Sequence, residues 1–371
     1  MADIVERFGQ GYTQQYSPVG QVRRTLRAIS LCRTAALGGH VSKCSNCQKE
    51  HISYNSCRNR HCPKCQVVNR EKWIMAREAE LLAVPYFHLV FTLPNVFNEL
   101  LPKHAKEVYS ALFAASWRTV KVFAADHKYL GAKPGMVSIL HTWGQQLWLH
   151  PHVHCIVPGG GITPNGKWKN AKYGDKYLFP KRAMSPVFRA KFMAELRKHM
   201  VVPQHIAKKA FATKWVVYAK RPFATPRTVV EYLGRYTHKI AISNHRLLAV
   251  EDHTVSFSYK DYRHGGAKKV ATLTGVEFLR RFACHVLPGG FVRIRHYGFL
   301  ASRNKAKELN MAKAELGQKK WEKVKVVWQE IAVQKLDFDP SICQHCKKGR
   351  MMIIKLMAPP RGPPMKPRRH A

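Results

Sequence analysis

The sequence is poor in acidic residues, with 22 Asp and Glu against 63 Lys and Arg in 371 residues, and its formal net charge is +41. A charge of this size repels itself in a compact chain and is offset when the protein binds a polyanion. No apolar run approaches the roughly 20 residues that a membrane-spanning helix needs, and the first residues lack the apolar centre of a signal peptide. We therefore expect a cytoplasmic protein that binds nucleic acid, with an anionic membrane surface as the second candidate.

Other absences narrow the class further. Hydrophobic residues make up 46% of the chain, which excludes a wholly disordered protein, and no internal repeat is visible. No GxxxxGK[ST] loop is present, so nucleotide hydrolysis on such a loop is not expected. Without an export signal, the ten cysteines are not expected to form a disulfide framework. Clustered CxxC pairs in a reducing compartment instead indicate bound metal.

The strongest motif is a pair of CxxC turns near the amino terminus. Cys44 and Cys47 form the first turn, and Cys62 and Cys65 form the second after a short spacer. Each turn presents two thiolates, so two turns complete the tetrahedral S4 site that zinc accepts. The spacing predicts one structural Zn²⁺ ion on these four cysteines, which would stabilise a small domain with little core of its own.

Additional cysteines and histidines leave the number of metal ions open. Cys57 and His61 lie close enough in the sequence to replace one thiolate or to contribute to a second ion. Cys343 and Cys346 form a third CxxC turn far along the chain. That turn is only half of a site, and it needs His345 or a distant cysteine to complete it.

Alternating histidines predict a second kind of metal site. Residues 147–157 are mostly apolar and predict a strand, on which His150, His152 and His154 share one face because side chains alternate. Neutral imidazoles on one face, with open coordination positions, suit a divalent cation such as Mg²⁺ or Mn²⁺ that polarises a phosphate. The third ligand stays open between His150 and the two glutamines that precede the strand. Surface histidines on an edge strand are the alternative.

Two tyrosines at helical spacing are candidate nucleophiles. Tyr232 and Tyr236 lie four residues apart on a helix predicted over 228–239, so they share one helix face. Tyrosine is a poor nucleophile at its usual pKa near 10, but nearby positive charge and a polarised phosphate favour its attack. Arg235 and Lys239 supply that charge. An ordinary aromatic pair packed on the core is the alternative.

The remaining length divides into three predicted units. Residues 1–85 form the cysteine-rich zinc-binding domain, residues 86–303 the catalytic core, and residues 304–371 a carboxy-terminal region. In that region the stretch 304–335 is expected to be helical, and the basic, proline-rich stretch 343–371 is expected to be a disordered tail.

Clusters of basic residues near these motifs are candidate DNA contacts, with solvated surface charge as the alternative. The candidate DNA-binding residues are Arg58, Arg60, Arg235, Lys239, Arg280, Arg281, Arg293 and Arg295.

Four long motifs resemble those of the IS91-type transposases, which belong to the two-tyrosine HUH endonucleases. The motifs are CSNC…SYNSCRNRHCPKC, LHPHVHCIVPGGG, YLGRYTHKIAISNHRL and EFLRRFACHVLPGGFVRIRHYGFLA. The resemblance implies an α+β fold, in which an antiparallel sheet flanked by helices follows a small zinc-binding domain and carries the metal-binding histidines on a central strand. It assigns His152 and His154 to the metal and Tyr232 and Tyr236 to catalysis. It assigns the amino-terminal cysteines, Cys57 among them, to zinc.

The resemblance also implies a reaction. One tyrosine attacks single-stranded DNA at an element end, leaving a 5′-phosphotyrosine and a free 3′-hydroxyl, and the second serves the target or the other end. Rejoining then completes rolling-circle transposition, with host replication machinery as a possible partner and the oligomeric state open. A rolling-circle replication initiator or relaxase, or a non-catalytic zinc protein that binds DNA, are the alternatives.

Overall fold

Helices and strands alternate irregularly along the chain, and the computed structural model describes residues 1–174, 176–219, 222–223, 228–229, 232, 234, 240–324 and 326–360. The helices among these residues are α1 (Ala2–Tyr16), α2 (Gly20–Ser30), α3 (Gln66–Glu78), α4 (Leu101–Ala125), α5 (Lys181–Arg197), α6 (Gln204–Ala212), α7 (Gly275–Ala283), α8 (Lys305–Glu315) and α9 (Trp328–Leu336). The strands are β1 (Gly39–Cys44), β2 (Glu50–Tyr54), β3 (Tyr86–Thr92), β4 (Lys133–Trp143), β5 (Leu149–Pro158), β6 (Gly160–Ile162), β7 (Trp168–Asn170), β8 (Val216–Ala219), β9 (Leu247–Val250), β10 (Thr254–Asp261), β11 (Ala267–Thr274), β12 (Ile294–Gly298) and β13 (Met351–Met357).

The central sheet is antiparallel and has the strand order β7-β6-β4-β5-β3-β8, with β12 also paired to β4. The histidine strand predicted over 147–157 is β5, and it lies between β3 and β4. Alternation along β5 gives the sheet two different faces, because Val153 and Cys155 point into the main apolar core. Ile156 belongs to a separate apolar cluster on the opposite face. His152 and His154 share that second face.

Helices α4 and α5 cover the first face of the sheet. Val108, Leu112 and Ala115 recur at helical spacing along α4 and are buried against the sheet. Phe188 and Phe192, one turn apart on α5, add their rings to the same core. This core covers the first face of the sheet, while the opposite face carries the apolar cluster with Ile156 beside the histidines.

A second core joins the beginning of the chain to a segment more than 230 residues away. Helices α1 and α2 pack with α7 and with a small sheet of order β11-β10-β9. Ile4 and Phe8 of α1 contact the same buried cluster as Phe257 of β10 and Phe278 of α7. The amino-terminal helices α1 and α2 therefore share one buried core with β10 and α7.

A third sheet corrects the prediction for the end of the chain. Residues 351–357, expected to lie in a disordered tail, form β13, which pairs antiparallel with β1 in the order β13-β1-β2. The expected helix over 304–335 is two separate helices, α8 and α9. Residues 351–357 contain one lysine among apolar residues, and the open edge of β1 supplies the backbone hydrogen bonds that a strand needs.

The expected fold class is confirmed, since the chain combines helices with antiparallel sheets and carries a cysteine-rich amino-terminal region. Within the ranges that the structure describes, no helix combines the length and the apolar character needed to cross a membrane.

The contact between α1 and α7 predicts a stability effect at Gly275. A Cβ atom there would lie 2.2 Å from the ring of Phe8, so Gly275→Ala must displace that ring within a packed core. We expect a loss of about 1–3 kcal/mol in the free energy of unfolding, typical of overpacking, measured by denaturant titration.

Gly9→Ala on α1 is the matched control, because its Cβ would meet only Val5 at an ordinary 3.7 Å and alanine favours a helix. Equal stability of the two variants would contradict the packing of α1 against α7.

Candidate functional site

Three histidines on neighbouring strands form a cluster on the second face of the central sheet. The nearest ring nitrogens of His141, His152 and His154 all lie within 4.8 Å of one another. The Nε2 atoms of His152 and His154 are 3.1 Å apart. Imidazole nitrogens that share one cation at about 2.1 Å lie roughly 3–3.4 Å apart. The cluster therefore has the donor atoms and the spacing of a metal site.

Hydrogen bonds fix how two of these rings are oriented. His152 Nδ1 lies 2.6 Å from the backbone oxygen of His150, so this nitrogen carries the proton and donates it. His154 Nδ1 lies 2.9 Å from Nε2 of His88. In both rings Nδ1 is engaged and Nε2 faces the cluster. This is the arrangement by which outer contacts orient metal-binding histidines.

The third member of the cluster is His141 rather than His150. His141 is directly opposite His152 in the pairing of β4 with β5, and directly opposite residues project to the same side of a sheet. His150 is exposed, outside the cluster, and contributes its backbone oxygen to His152. Of the candidates for the third ligand that the sequence left open, His150 lies outside this group of three, whereas His141 lies within it. The sequence signal for His141 was its place at the end of an apolar strand.

His88 connects the cluster to a tyrosine. Its Nδ1 atom lies 3.5 Å from the Tyr232 hydroxyl oxygen, and its Nε2 atom contacts His154. The ring of Tyr232 meets His88 edge-on at 5.1 Å between centroids and is half-buried. Sequence reasoning missed His88, since a lone histidine in an apolar strand carries no pattern. Tyr236, Arg235 and Lys239 lie outside the described residues.

The cysteines form two clusters, and neither is the predicted set of Cys44, Cys47, Cys62 and Cys65. The two predicted CxxC turns belong to different clusters, because strands β1 and β2 separate them. One cluster unites the second turn with two other amino-terminal cysteines, and the other unites the first turn with the carboxy-terminal turn. The clusters are Cys32 with Cys57, Cys62 and Cys65, and Cys44 with Cys47, Cys343 and Cys346.

The first cluster lies against the second core. The Sγ atoms of Cys32 and Cys57 lie 3.5 and 3.6 Å from Sγ of Cys65, and Cys32 and Cys62 are fully buried. Hydrogen bonds from the Cys62 thiol and from the backbone N–H of Asn59 lower the pKa of Cys57 to about 5. A lowered pKa favours the thiolate, which is the form that binds zinc.

His61 has a structural role rather than a place in either cysteine cluster. It is buried, and its Nε2 atom accepts a hydrogen bond from the backbone N–H of Leu287 at 3.3 Å. Burial lowers its pKa to about 3, so the ring is neutral at physiological pH.

Two arginines predicted to contact DNA are directed into the protein. Arg60 donates to the backbone oxygens of Pro288, at 2.8 Å, and Phe291. Arg293 is only 8% exposed, and burial lowers its pKa to about 10, which leaves it charged at neutral pH. Arg60 is half-buried and Arg293 is buried, and a role for either residue in DNA binding stays a prediction.

The other described candidates lie at or near the surface. Arg58 is exposed. Arg280 and Arg281 form ion pairs with Glu277 at 2.6 and 2.7 Å, and together they lower the pKa of Glu277 to about 2. Arg295 packs its guanidinium over Phe113 at 4.4 Å. A role for these four arginines in DNA binding stays a prediction.

Comparison with known proteins places this geometry in a family. A family model described as "Putative transposase" matches residues 135–308, and one described as "Transposase zinc-binding domain" matches residues 4–93. The chain is 41% identical over 391 residues to "Putative transposase y4qJ" of Sinorhizobium fredii (strain NBRC 101917 / NGR234), covering 98% of this chain and 97% of that protein. It is 30% identical over 294 residues to "Transposase for insertion sequence element IS801" of Pseudomonas savastanoi pv. phaseolicola, covering 75% and 70%. No solved structure matches it.

Both family matches describe segments of transposases, and together they take in the amino-terminal cysteines and the histidine cluster. The protein is therefore a transposase with a zinc-binding domain, and its partner is DNA. Both relatives match over most of the length of this chain, and the zinc-binding domain model matches its amino-terminal part. The chain therefore belongs to the IS91-type transposases.

Proposed function

We propose that the protein nicks and rejoins single-stranded DNA at the ends of an insertion sequence, with Tyr232 as a nucleophile beside a metal-binding histidine cluster. The observation that carries this proposal is the continuous contact from Tyr232 through His88 to His154. Rolling-circle transposition through a 5′-phosphotyrosine is the corresponding pathway. Residues 1–85 would bind zinc and DNA, and residues 86–303 would carry out the chemistry.

The three histidines fit a catalytic divalent cation. Each histidine offers one ring nitrogen, and these three nitrogens lie within 4.8 Å of one another. Three imidazole ligands leave coordination positions open for oxygen donors such as phosphate or water. Bound there, Mg²⁺ or Mn²⁺ would act as a Lewis acid that polarises a phosphate oxygen.

The hydrogen-bonded chain assigns the protons around the nucleophile. When His154 presents Nε2 to a cation, its Nδ1–H donates to Nε2 of His88. His88 then carries its own proton on Nδ1, which faces the oxygen of Tyr232. A donor at this position stabilises negative charge that develops on the tyrosine oxygen. His88 is therefore a positioning residue that couples the cluster to the nucleophile.

The proposed reaction balances without an energy source. The Tyr232 oxygen bonds to phosphorus while the bond from phosphorus to the 3′-oxygen breaks, and the phenolic proton is replaced, through solvent, on the leaving 3′-oxygen. One phosphodiester replaces another, so the reverse attack of a 3′-hydroxyl rejoins DNA without ATP. Tyr236 is proposed to make the same attack at the target or the other element end.

An exposed aromatic side chain just before the histidine strand supports a single-stranded substrate. Trp148 is 51% exposed and precedes β5. The guanidinium of Arg281 lies 3.6 Å from the centre of its ring. Indole rings with adjacent arginines stack unpaired bases, which a duplex does not present.

The tyrosine assignment predicts where a covalent DNA adduct forms. Element-end single-stranded DNA incubated with Mn²⁺ should give an adduct that peptide mapping places on Tyr232 or Tyr236, because these phenols are the proposed nucleophiles. Removal of the metal with EDTA should prevent the adduct. An adduct on the Tyr232→Phe, Tyr236→Phe double variant, detected on a denaturing gel, would contradict the assignment, and Tyr218→Phe is the control.

The choice of His141 over His150 as the third ligand gives a matched pair of variants. His141→Ala should lower metal-dependent cleavage at least about 100-fold, because a direct ligand contributes more than the outer contacts that cost 10- to 100-fold. His150→Ala should cleave nearly normally, since its side chain is outside the cluster and its backbone oxygen is retained. Cleavage rates and Mn²⁺ affinity both test this. Equal losses in the two variants would contradict the ligand set.

The role of His88 predicts a graded series. His88→Phe should lower Mn²⁺ affinity about 10- to 100-fold and slow adduct formation, with metal-free DNA binding unchanged. His88→Gln should recover part of both effects, because its amide both accepts from His154 and donates to Tyr232. Unchanged Mn²⁺ affinity in His88→Phe would refute the coupling.

A further inference from the structure

The two ends of the chain meet at the second cysteine cluster, which joins Cys44 and Cys47 to Cys343 and Cys346. We propose that these four thiolates bind a second structural zinc ion, and that this site is a clasp fastening strand β13 onto the amino-terminal sheet. The family match to the zinc-binding domain ends at residue 93, so half of the proposed site lies beyond it.

The sulphur geometry fits zinc and excludes disulfides. Sγ of Cys44 lies 3.6 Å from Sγ of Cys346, and Sγ of Cys47 lies 3.8 Å from Sγ of Cys343. Thiolates at about 2.3 Å from a tetrahedral zinc ion lie about 3.8 Å apart. A disulfide would instead hold two sulphurs about 2.05 Å apart.

The two CxxC turns have the same construction although they are 296 residues apart. The residue after each turn, Gln48 or Lys347, has a left-handed backbone, with φ of 58° and 55°. The backbone N–H of each of these residues returns to the carbonyl of the first cysteine of its turn. Matched turns of this kind present two sulphurs each to one centre.

Backbone donors support negative charge on the sulphurs. The N–H groups of Asn46 and Cys47 point to Sγ of Cys44, at 3.4 and 3.5 Å, and that of Gly349 points to Sγ of Cys346 at 3.4 Å. These contacts are the outer hydrogen bonds that tetrathiolate sites use.

The two turns also interlock directly. The backbone N–H of Ser45 donates to the carbonyl of Arg350 at 2.9 Å, and the N–H of Arg350 donates to Oγ of Ser45 at 3.0 Å. Gly349 has no room for a side chain, since a Cβ there would lie 2.5 Å from Sγ of Cys44 and 2.8 Å from the backbone nitrogen of Asn46.

The sheet that the clasp completes has little apolar core. Every residue of β2 and β13 is exposed or half-exposed, and Ile353 and Leu356 are 61% and 78% exposed. Burial therefore contributes little to holding β13 in place, and a metal that crosslinks both chain ends supplies the missing stabilisation. The clasp also places the exposed Lys347 and Lys348 beside the turn formed by Cys44 and Cys47.

Metal content of the full-length protein tests the second ion. Relative to the wild-type chain, the Cys343→Ser, Cys346→Ser variant should lose one zinc per chain, measured by plasma mass spectrometry. In cobalt-substituted protein, the absorbance from thiolate-to-metal charge transfer should fall by about half, because four of eight thiolate ligands remain. Cys284→Ser, which removes a cysteine outside both clusters, should change neither reading. An unchanged zinc count in the double variant would overturn the proposal.

Hydrogen exchange tests the clasp itself. In the double variant the amides of β13 should exchange much faster, while those of β3, β4 and β5 keep their protection. Unchanged exchange in β13 would show that zinc does not hold this strand.

Gly349→Ala tests the site with every thiol in place, should the double variant fail to fold. Crowding at Cys44 should make one zinc equivalent about tenfold or more easier to remove with a chelator, whereas Gly9→Ala should behave as wild type. Equal release from both would also refute the clasp. These readings need no DNA, so they are independent of the proposed cleavage chemistry.

Discussion

The register between β4 and β5 is the constraint on which the rest of the site depends. It sets His141 opposite His152, and the alternation of β5 places His154 on the same face. A shift of one residue would turn these imidazoles toward the apolar core. That register is held by the packing of α4 and α5 on the other face, where Val153 and Cys155 are completely buried. The apolar face of the sheet thus fixes the geometry of its polar face.

Polar contacts extend that geometry outward in successive layers. The backbone oxygen of His150 orients His152, and His88 orients His154 while reaching Tyr232. Each contact occupies a ring nitrogen that faces away from the cluster. The site is therefore organised by hydrogen bonds as well as by strand position.

The two cysteine clusters lie in different surroundings, and only the second joins segments that are distant in sequence. The first cluster sits against α1 and the second core, where Cys32 and Cys62 are already buried. The second joins the two ends of the chain at an exposed sheet. The high positive charge makes such crosslinks useful, since like charges on both ends repel at close range.

Local patterns in the sequence determined the α+β class, the strand at 147–157, the shared face of His152 and His154 and the presence of cysteine metal sites, because these follow from short spacings and alternation. Contacts between distant residues were decided only by the tertiary structure. No regular sequence spacing relates His88 or His141 to the histidines of β5. The sequence around Cys343 likewise does not indicate which cysteines complete its site. Pairing Cys44 with Cys62 assumed that turns near in sequence meet in space, but antiparallel pairing of β1 with β13 brought the distant turn closer. Long-range strand pairing, which sequence periodicity does not encode, made that choice.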